Sequence, residues 1–454
     1  MTLFSRKRAS SLALAISLAT GAAVVATAVI PVEANAQRAP RERERDRDRD
    51  RDRGQDAQEQ DGGGYSDAFR AAYVPLDEAL KAEGASVAAL RPQIDALIPL
   101  LNTADEKIAG GGLVFNAGVK GSDRGLQLQG MELMVASGKV PAEQAGRYNF
   151  IAYQLANEQR DYAKGRRYLQ GAIDNNFTTE TIGRSDLEIA MAESFFASND
   201  LTQGYEYLKK AITDRKAQGL AVEEQWYRRG VTVAYENQSV PQVYDFVTMW
   251  IGEFPTSNNW RDAVNLTRNL NTFQLGEILD LFRLARRVDA LQDASDYDYY
   301  VEAADPRRLP KEVKDVIDEG KAAGVITSSN LFITEAEQVA SGRIQSDRAD
   351  LPALERDAMA ADAGLRTVMA AAGAFLSYDE FAKAERFYER ALTMPGVDTN
   401  EALIRLAVAQ IELGKFDAAR TALGRVTGAR MPIAMLWAAY ADEKEGAAAP
   451  AMAM

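Results

Sequence analysis

The chain has 454 residues but contains no cysteine and no histidine. Without cysteine it can form no disulfide and no thiolate nucleophile, and no lipid-carrying cysteine can follow a leader segment. Without histidine it can build neither a Ser-His-Asp triad nor an imidazole metal site, and a zinc site made of carboxylates alone is unusual. The sequence therefore predicts no cofactor, no metal and no enzyme of these common classes.

Signals for β-structure are scarce as well. From Tyr65 onward alanine is abundant, proline is sparse, and no run alternates apolar and polar residues with the period of two that strands need. The chain is too long for one ordinary core, and its 46% apolar residues are enough to fold most of it. These features predict an all-α fold arranged as two or three domains or as one elongated array.

The N-terminus has the features of a secretory signal peptide. Basic residues at positions 6–8 precede an apolar stretch from Leu12 to Ile30, and Ala34-Asn35-Ala36 forms a small-x-small cleavage site. We expect cleavage after Ala36 and export to a bacterial periplasm. An uncleaved membrane anchor is the alternative, because the apolar stretch is close to spanning length. No later stretch is apolar for long enough to span a membrane.

Residues 37–64 are predicted to form a disordered linker. From Arg41 to Arg53 arginine alternates strictly with glutamate or aspartate, a pattern that gives neither a helix nor a strand an apolar face to bury. Residues 65–454 hold 42 basic and 56 acidic side chains. Because this acidic body repels phosphate backbones, nucleic acid is not expected as a partner.

Four segments repeat one helical pattern. In each, a large residue is followed by a small residue three positions later and by further apolar residues at seven and ten positions. This spacing places the side chains on one face of a helix, and the small residue lets a neighbouring helix approach closely. The four sets are Tyr162, Gly165, Leu169 and Ala172; Leu201, Gly204, Leu208 and Ala211; Phe381, Ala384, Tyr388 and Ala391; and Phe416, Ala419, Leu423 and Val426.

The pattern resembles the tetratricopeptide repeat (TPR), a helix-turn-helix of about 34 residues. The resemblance covers roughly 147–290 and 365–440. It departs from the family at Gly165 and Gly204, where alanine is usual, and at Gln410, where an aromatic residue is preferred. The resemblance implies a helical repeat solenoid. The expected organisation is a signal peptide (1–36), a linker (37–64), a helical cap (65–146), a TPR-like array (147–290), an irregular helical connector (291–360), C-terminal repeats (361–441) and a disordered tail (442–454).

Arrays of this family curve, and the first helix of each pair lines the concave face. The resemblance therefore implies a groove whose residues are Arg147, Phe150, Gln154, Asn157, Glu158, Glu193 and Phe196. Charged, amide and aromatic side chains together suit capture of a protein or peptide. The implied function is a scaffold or adaptor of the cell envelope that binds such a partner. A face that is merely solvated is the alternative interpretation.

Three other motifs are assigned to structure rather than to chemistry. Gly110-Gly111-Gly112 with Lys120 lacks the spacing of a phosphate-binding loop and predicts a loop between helices. Aspartates at 293, 296 and 298 lack the glycine and glutamate of an EF-hand and predict a solvated helix end. Glu193-Ser194 resembles the Glu-Ser motif of lytic transglycosylases, but the glycine-rich stretch that follows in that family is missing.

Two other functions stay open at this point. One is an enzyme that acts on cell wall or polysaccharide with paired carboxylates on an all-α fold. The other is a self-assembling structural protein of the envelope, tethered by its N-terminal linker. The sequence offers no pair of acids that can be placed in one cleft, so we favour the scaffold.

Overall fold

The computed structural model describes residues 64–327 and 329–452. Within these ranges the chain forms 20 α-helices and no strand, which confirms the all-α prediction. The predicted signal peptide and all but the last residue of the predicted linker lie outside the described residues. No helix in the described ranges combines the length and apolar content needed to cross a bilayer.

The helices belong to two compact units, divided between Gly219 and Leu220, within the range 147–290 that was predicted as one array. Unit 1 contains α1 (Asp67–Lys81), α2 (Val87–Leu97), α3 (Ala104–Lys120), α4 (Arg124–Ala136), α5 (Ala142–Glu158), α6 (Tyr162–Asp174), α7 (Arg184–Ala197) and α8 (Leu201–Ala217). Unit 2 contains α9 (Glu224–Glu236), α10 (Val240–Glu253), α11 (Ser257–Leu270), α12 (Leu275–Arg287), α13 (Ala294–Ala304), α14 (Pro310–Ala322), α15 (Leu331–Met359), α16 (Leu365–Ser377), α17 (Phe381–Leu392), α18 (Thr399–Glu412), α19 (Phe416–Leu423) and α20 (Met431–Met452).

The same three-residue turn closes three helical hairpins of unit 1: α3 with α4, α5 with α6, and α7 with α8. Its second residue, which we call the turn residue, has a left-handed backbone, with φ of 52° at Ser122, 60° at Arg160 and 59° at Asn199. The N–H of the following residue donates to a carbonyl of the last turn of the preceding helix, as from Asp161 to Ala156 at 2.9 Å. The Asp161 side chain also caps the next helix. One short connection therefore ends one helix and starts another.

This turn recurs at a nearly constant interval. The three turn residues of unit 1 are separated by 38 and 39 residues. Unit 2 repeats the geometry at Gln238, Asp379 and Gly414, with φ of 52°, 62° and 73°. Because each turn fixes the helical register on both sides of it, equivalent positions of different hairpins can be compared directly.

The structure buries the small residues that were predicted to allow close helix approach. Gly165 and Gly204 are buried in unit 1, and Ala384 and Ala419 are fully buried in unit 2. Two helices of the same register, α4 and α10, are not among the four predicted repeats, because Gln127 and Val243 occupy the position of the small residue. The turns at Ser122 and Gln238 are the signal that identifies these helices.

Unit 2 is closed by its last helix, because α20 packs against α10, α12, α18 and α19. Four large side chains of α20, Ile433, Leu436, Trp437 and Tyr440, are at most 4% exposed. Burying each of them contributes about 1.5–3 kcal/mol. Helix α20 is therefore part of the core of unit 2. Between these packed elements, the range 291–360 that was predicted as an irregular connector contains α13, α14 and the 29-residue helix α15.

Candidate functional site

The structure places the seven predicted groove residues on two helices of unit 1. Five lie on α5, and Glu193 and Phe196 lie on α7. Arg147 and Glu158 are exposed, whereas Gln154, Asn157, Glu193 and Phe196 are half-buried and Phe150 is buried. We define the register face of a helix as the residues 3, 6 and 10 positions before its turn residue. On α5 this face consists of Asn157, Gln154 and Phe150, and on α7 of Phe196, Glu193 and Ile189.

Phe150 serves the interior rather than the exposed surface. Its ring centroid lies 4.7 Å from that of Phe177, and the two rings are stacked. Phe150 shares an apolar cluster with Leu169 of α6 and with Leu187 and Met191 of α7. The side chain therefore holds the three helices together and supports the polar positions of the face from below.

Glu193 on α7 lies close to Tyr153 on α5. Burial and the nearby Glu193 carboxylate raise the pKa of the Tyr153 hydroxyl to about 12, so this tyrosine stays neutral at physiological pH. Gln154, next to it in sequence, has a buried Oε1 atom with no hydrogen-bond partner among the described residues. Such buried acceptors are rare in folded proteins. The junction of α5 and α7 therefore holds a carboxylate, a neutral phenol and an unsatisfied amide oxygen.

Phe196 is positioned by a glycine of the next helix. Its ring lies 5.5 Å from that of Tyr205, and a methyl group added at Gly204 would overlap the Phe196 ring. At the equivalent position of α6, a methyl group added at Gly165 would lie 3.6 Å from Cδ2 of Tyr153, an ordinary contact. Glycine in place of the alanine that is usual in the tetratricopeptide repeat is therefore explained by steric crowding at Gly204. No such crowding exists at Gly165.

The turn register identifies three residues of the face that sequence analysis missed. Ile189 of α7 is half-buried beside the predicted residues. On α3, the positions three and six before Ser122 are Val119 and Asn116, and both are exposed. The spacing of 38 residues between Ser122 and Arg160 is the signal that could have found them.

Unit 2 has the same register face on α18, but the face is covered. Ile404, Val408 and Ile411 occupy the equivalent positions before Gly414 and are at most 4% exposed. Helix α18 contacts α12 and α20 in addition to its neighbours in sequence. A binding face comparable to that of α5 and α7 is therefore absent from α18.

Buried charged side chains lie where α12 and α20 cover α18. Asp280 of α12 accepts a bond from Arg405 Nε at 2.8 Å and another from Arg430. Nearby, the Arg283 guanidinium makes two bonds of 2.7 Å to Glu312. Three arginines face three carboxylates in this cluster, since Arg405 also pairs with Glu401. Each buried charge thus has a partner of opposite sign, which is the condition for tolerating it in a core.

Glu312 shows how strongly these charges are held. Burial favours the neutral acid, but the charge of Arg283, together with hydrogen bonds from Arg283 and Tyr300, lowers the pKa of Glu312 to about 2. In unit 1, Glu106 reaches a similar pKa of about 2 by another route. Burial again opposes ionisation, and bonds from Thr103 and from the backbone and hydroxyl of Ser66 outweigh it.

The glycine triplet of α3 corrects one expectation. Gly110, Gly111 and Gly112 lie inside a helix, not in a loop. A methyl group added at Gly111 would contact the backbone of Gly130 at 2.9 Å, so the glycines let α3 and α4 approach closely.

The aspartates at 293–298 lie at the start of α13. Asp293 is the N-cap of this helix, and the Asp296 carboxylate accepts a hydrogen bond of 3.0 Å from the backbone N–H of Asp293. Within the described residues, no group of three or more acids is arranged to hold a metal ion.

Comparison of the chain with protein-family models and with curated proteins gives no match. The resemblance to the tetratricopeptide repeat therefore depends on the residues quoted above and on the recurrent turn.

Proposed function

We propose that the chain is an exported TPR-like scaffold of the bacterial cell envelope, which binds a protein or peptide partner rather than catalysing a reaction. The observation that carries this proposal is the three-residue turn that recurs at intervals of 38 and 39 residues in unit 1. Hairpins that repeat at a fixed interval stack into arrays, and such arrays use an extended concave surface for binding.

We assign the binding surface to the register faces of α5 and α7. They combine an amide pair, Gln154 and Asn157, with the Glu193 carboxylate and the half-buried Phe196 ring. An aromatic anchor beside polar groups of defined direction is the usual composition of an interface centre. The unsatisfied Gln154 Oε1 atom supplies an acceptor for a partner N–H once the side chain turns outward.

A triple variant, Asn157→Ala, Glu158→Ala and Glu193→Ala, tests the assignment. All three side chains are exposed or half-buried, and Glu158 forms only a surface ion pair with Arg124. The variant should unfold within about 0.5 kcal/mol of the wild type. Loss of central interface contacts should weaken partner binding by about 2 kcal/mol or more, roughly thirtyfold. Partners cross-linked in envelope extracts and then titrated in pure form provide the measurement.

The matched control is Gln170→Ala, Asp174→Ala and Glu206→Ala on the exposed surfaces of α6 and α8. It also removes one amide and two carboxylates, so it changes the charge of unit 1 equally. The control should retain every partner. If the triple variant of Asn157, Glu158 and Glu193 stays folded and binds the same partners with unchanged affinity, the assignment of the binding surface to α5 and α7 is wrong.

Export is tested separately. N-terminal sequencing of the protein purified from the envelope should begin at Gln37, following Ala34-Asn35-Ala36. A protein that keeps its apolar stretch from Leu12 to Ile30 would be membrane-anchored, and the proposal of a released periplasmic scaffold would then fail.

A further inference from the structure

Unit 2 contains a shallow, solvent-open pocket where the end of α15 meets α17. Its volume is about 630 Å³. The pocket is lined by Pro352, Glu355, Arg356, Met359, Ala360 and Arg386. Nothing in the proposed scaffold function uses this site.

Positive charge exceeds negative charge around the pocket. Glu355 is bound by Lys383 and by Arg386, each at 2.9 Å, and Lys383 also pairs with Glu380 at 2.8 Å. The hydrogen bond from Lys383, together with Arg386, lowers the pKa of Glu355, so its charge is permanent but neutralised. Arg356 is exposed and makes no ion pair with any residue that the structure describes.

A fourth cation lies at the C-terminal end of α15. Arg390 donates to the carbonyl oxygens of Ala358 at 2.7 Å and Ala360 at 2.6 Å, not to a carboxylate. Among the residues that line the pocket, two arginines, Arg356 and Arg386, accompany one carboxylate, Glu355. The lining therefore has an excess of one positive charge in a chain whose net charge is −13.

The lining also includes apolar side chains. Met359 is 49% exposed, and Pro352, which lies on the same helix α15, is exposed as well. Methionine is unbranched and polarisable, so it adapts to ligands of different shapes. A guanidinium offers a planar fork that matches carboxylate and phosphate oxygens. The site thus combines cationic and apolar side chains.

We propose that this pocket binds an amphiphilic anion. Arg356 and Arg386 hold its phosphate or carboxylate group, and Pro352 and Met359 receive its apolar arm. A soluble amphiphile and an acidic membrane lipid share this chemistry. Because the pocket is open, binding is weak and depends on both parts of the ligand.

Isothermal titration of the full-length protein with n-octyl phosphate, below its micelle-forming concentration, tests the proposal. Inorganic phosphate, which lacks the apolar arm, is the companion probe. Burial of only two methylene groups is worth about tenfold in affinity, so octyl phosphate should bind at least about tenfold more tightly than inorganic phosphate. Equal affinity for the two probes, or no saturable binding of octyl phosphate, would overturn the proposal.

Two double variants locate the site. Arg356→Gln with Arg386→Gln should weaken octyl phosphate binding at least about tenfold, because charge-assisted hydrogen bonds to the anion are lost. Arg343→Gln with Arg425→Gln removes two exposed arginines of unit 2 that do not line the pocket and should leave binding unchanged. Far-ultraviolet circular dichroism confirms that both variants are folded. Equal binding by both variants would refute the assignment.

Vesicles of phosphatidylglycerol and phosphatidylcholine distinguish the two sources of the ligand. If the wild type co-sediments with the anionic vesicles and the pocket variant does not, the ligand is a membrane lipid. If octyl phosphate binds but the vesicles do not, the ligand is a soluble amphiphile. Both outcomes support the pocket, whereas vesicle binding that the pocket variant retains contradicts a role for it at membranes.

Discussion

The register face of α7 in unit 1 and that of α18 in unit 2 follow the same turn geometry but have different surroundings. On α7 the face holds Ile189, Glu193 and Phe196, all half-buried. On α18 ten consecutive residues, from 402 to 411, are buried, and the face itself is purely aliphatic. The two helices have the same local fold. They differ in whether other helices of the chain cover the register face.

Whether the register face is covered decides whether it is available for binding. In unit 2 the side chains that cover α18 come from α12 and α20 of the same chain. In unit 1 the face of α5 and α7 keeps polar atoms at least partly accessible. The proposed partner-binding surface therefore lies in unit 1, whereas the α18 face of unit 2 is structural core.

The strongest test of this comparison is to break the charge cluster that accompanies closure. Asp280→Asn keeps the size of the side chain but leaves Arg405 and Arg430 buried without their shared carboxylate. We expect a loss of about 3–5 kcal/mol in the free energy of unfolding. All four tryptophans of the chain, at 226, 250, 260 and 437, lie in unit 2, so denaturant titration followed by tryptophan fluorescence reports on this unit.

Glu319→Gln is the control for that variant, because the Glu319 side chain is 50% exposed in its pair with Arg286. A surface pair of this kind should contribute less than about 1 kcal/mol. If both variants unfold at the same denaturant concentration, the cluster does not stabilise the closed unit.

A second test sharpens the comparison by removing the buried carboxylate of unit 1. Glu106 accepts bonds from Ser66 N at 2.9 Å and Oγ at 2.7 Å, and from the backbone N–H groups of Asn102 and Thr103. Its donors are neutral, so Glu106→Gln leaves no buried positive charge behind. The loss should be about 1.5–3 kcal/mol, smaller than that of Asp280→Asn.

The difference between wild type and Glu106→Gln should depend on pH. The folded-state pKa of Glu106, about 2, lies below its ordinary value of 4.5. The stabilisation is therefore fully present above about pH 4.5 and is lost as the pH falls towards 2. Hydrogen exchange of α1 and α3 at pH 7 and pH 3 provides the measurement. An unchanged difference between the two pH values would contradict the proposed role of the carboxylate.

The smallest expected effect compares two glycines within unit 1. Gly165→Ala adds a methyl group at ordinary contact distance from Tyr153, so better helix propensity should stabilise α6 by up to about 1 kcal/mol. Gly204→Ala forces the Phe196 ring to move and should lower stability instead. Thermal unfolding followed by circular dichroism compares the two. Equal effects would mean that Phe196 is not held by Gly204.

The sequence predicted those features of the fold that are encoded locally. Helical periodicity, the sparse proline and the small residues at Gly165, Gly204, Ala384 and Ala419 are enough to predict an all-α fold with closely packed helices. The hairpin containing α4 was missed because Gln127 replaces the small residue, although the turn at Ser122 marks it equally well.

The covering of α18 was harder to predict because it depends on distant parts of the chain. Asp280 and Arg430 are 150 residues apart, and no local pattern joins them. One clue was present: residues 402–411 are apolar on nearly every side, which is typical of a helix buried all round. At the candidate site the sequence could not reveal that Phe150 packs inward. A repeat position predicts which way a side chain points, but not how closely neighbouring helices cover it.

Unit 2 acquires its final packing late in biosynthesis. A ribosome releases residues in chain order, so α12 with Asp280 leaves it well before Arg405, which is 125 residues further on, and before α20. Until these arrive, Asp280 lacks two of its arginine partners, Arg405 and Arg430, and α12 lacks its contacts with α18 and α20. Joining segments so far apart also makes folding slow. The native packing of unit 2 is therefore completed only after the last part of the chain has been translated.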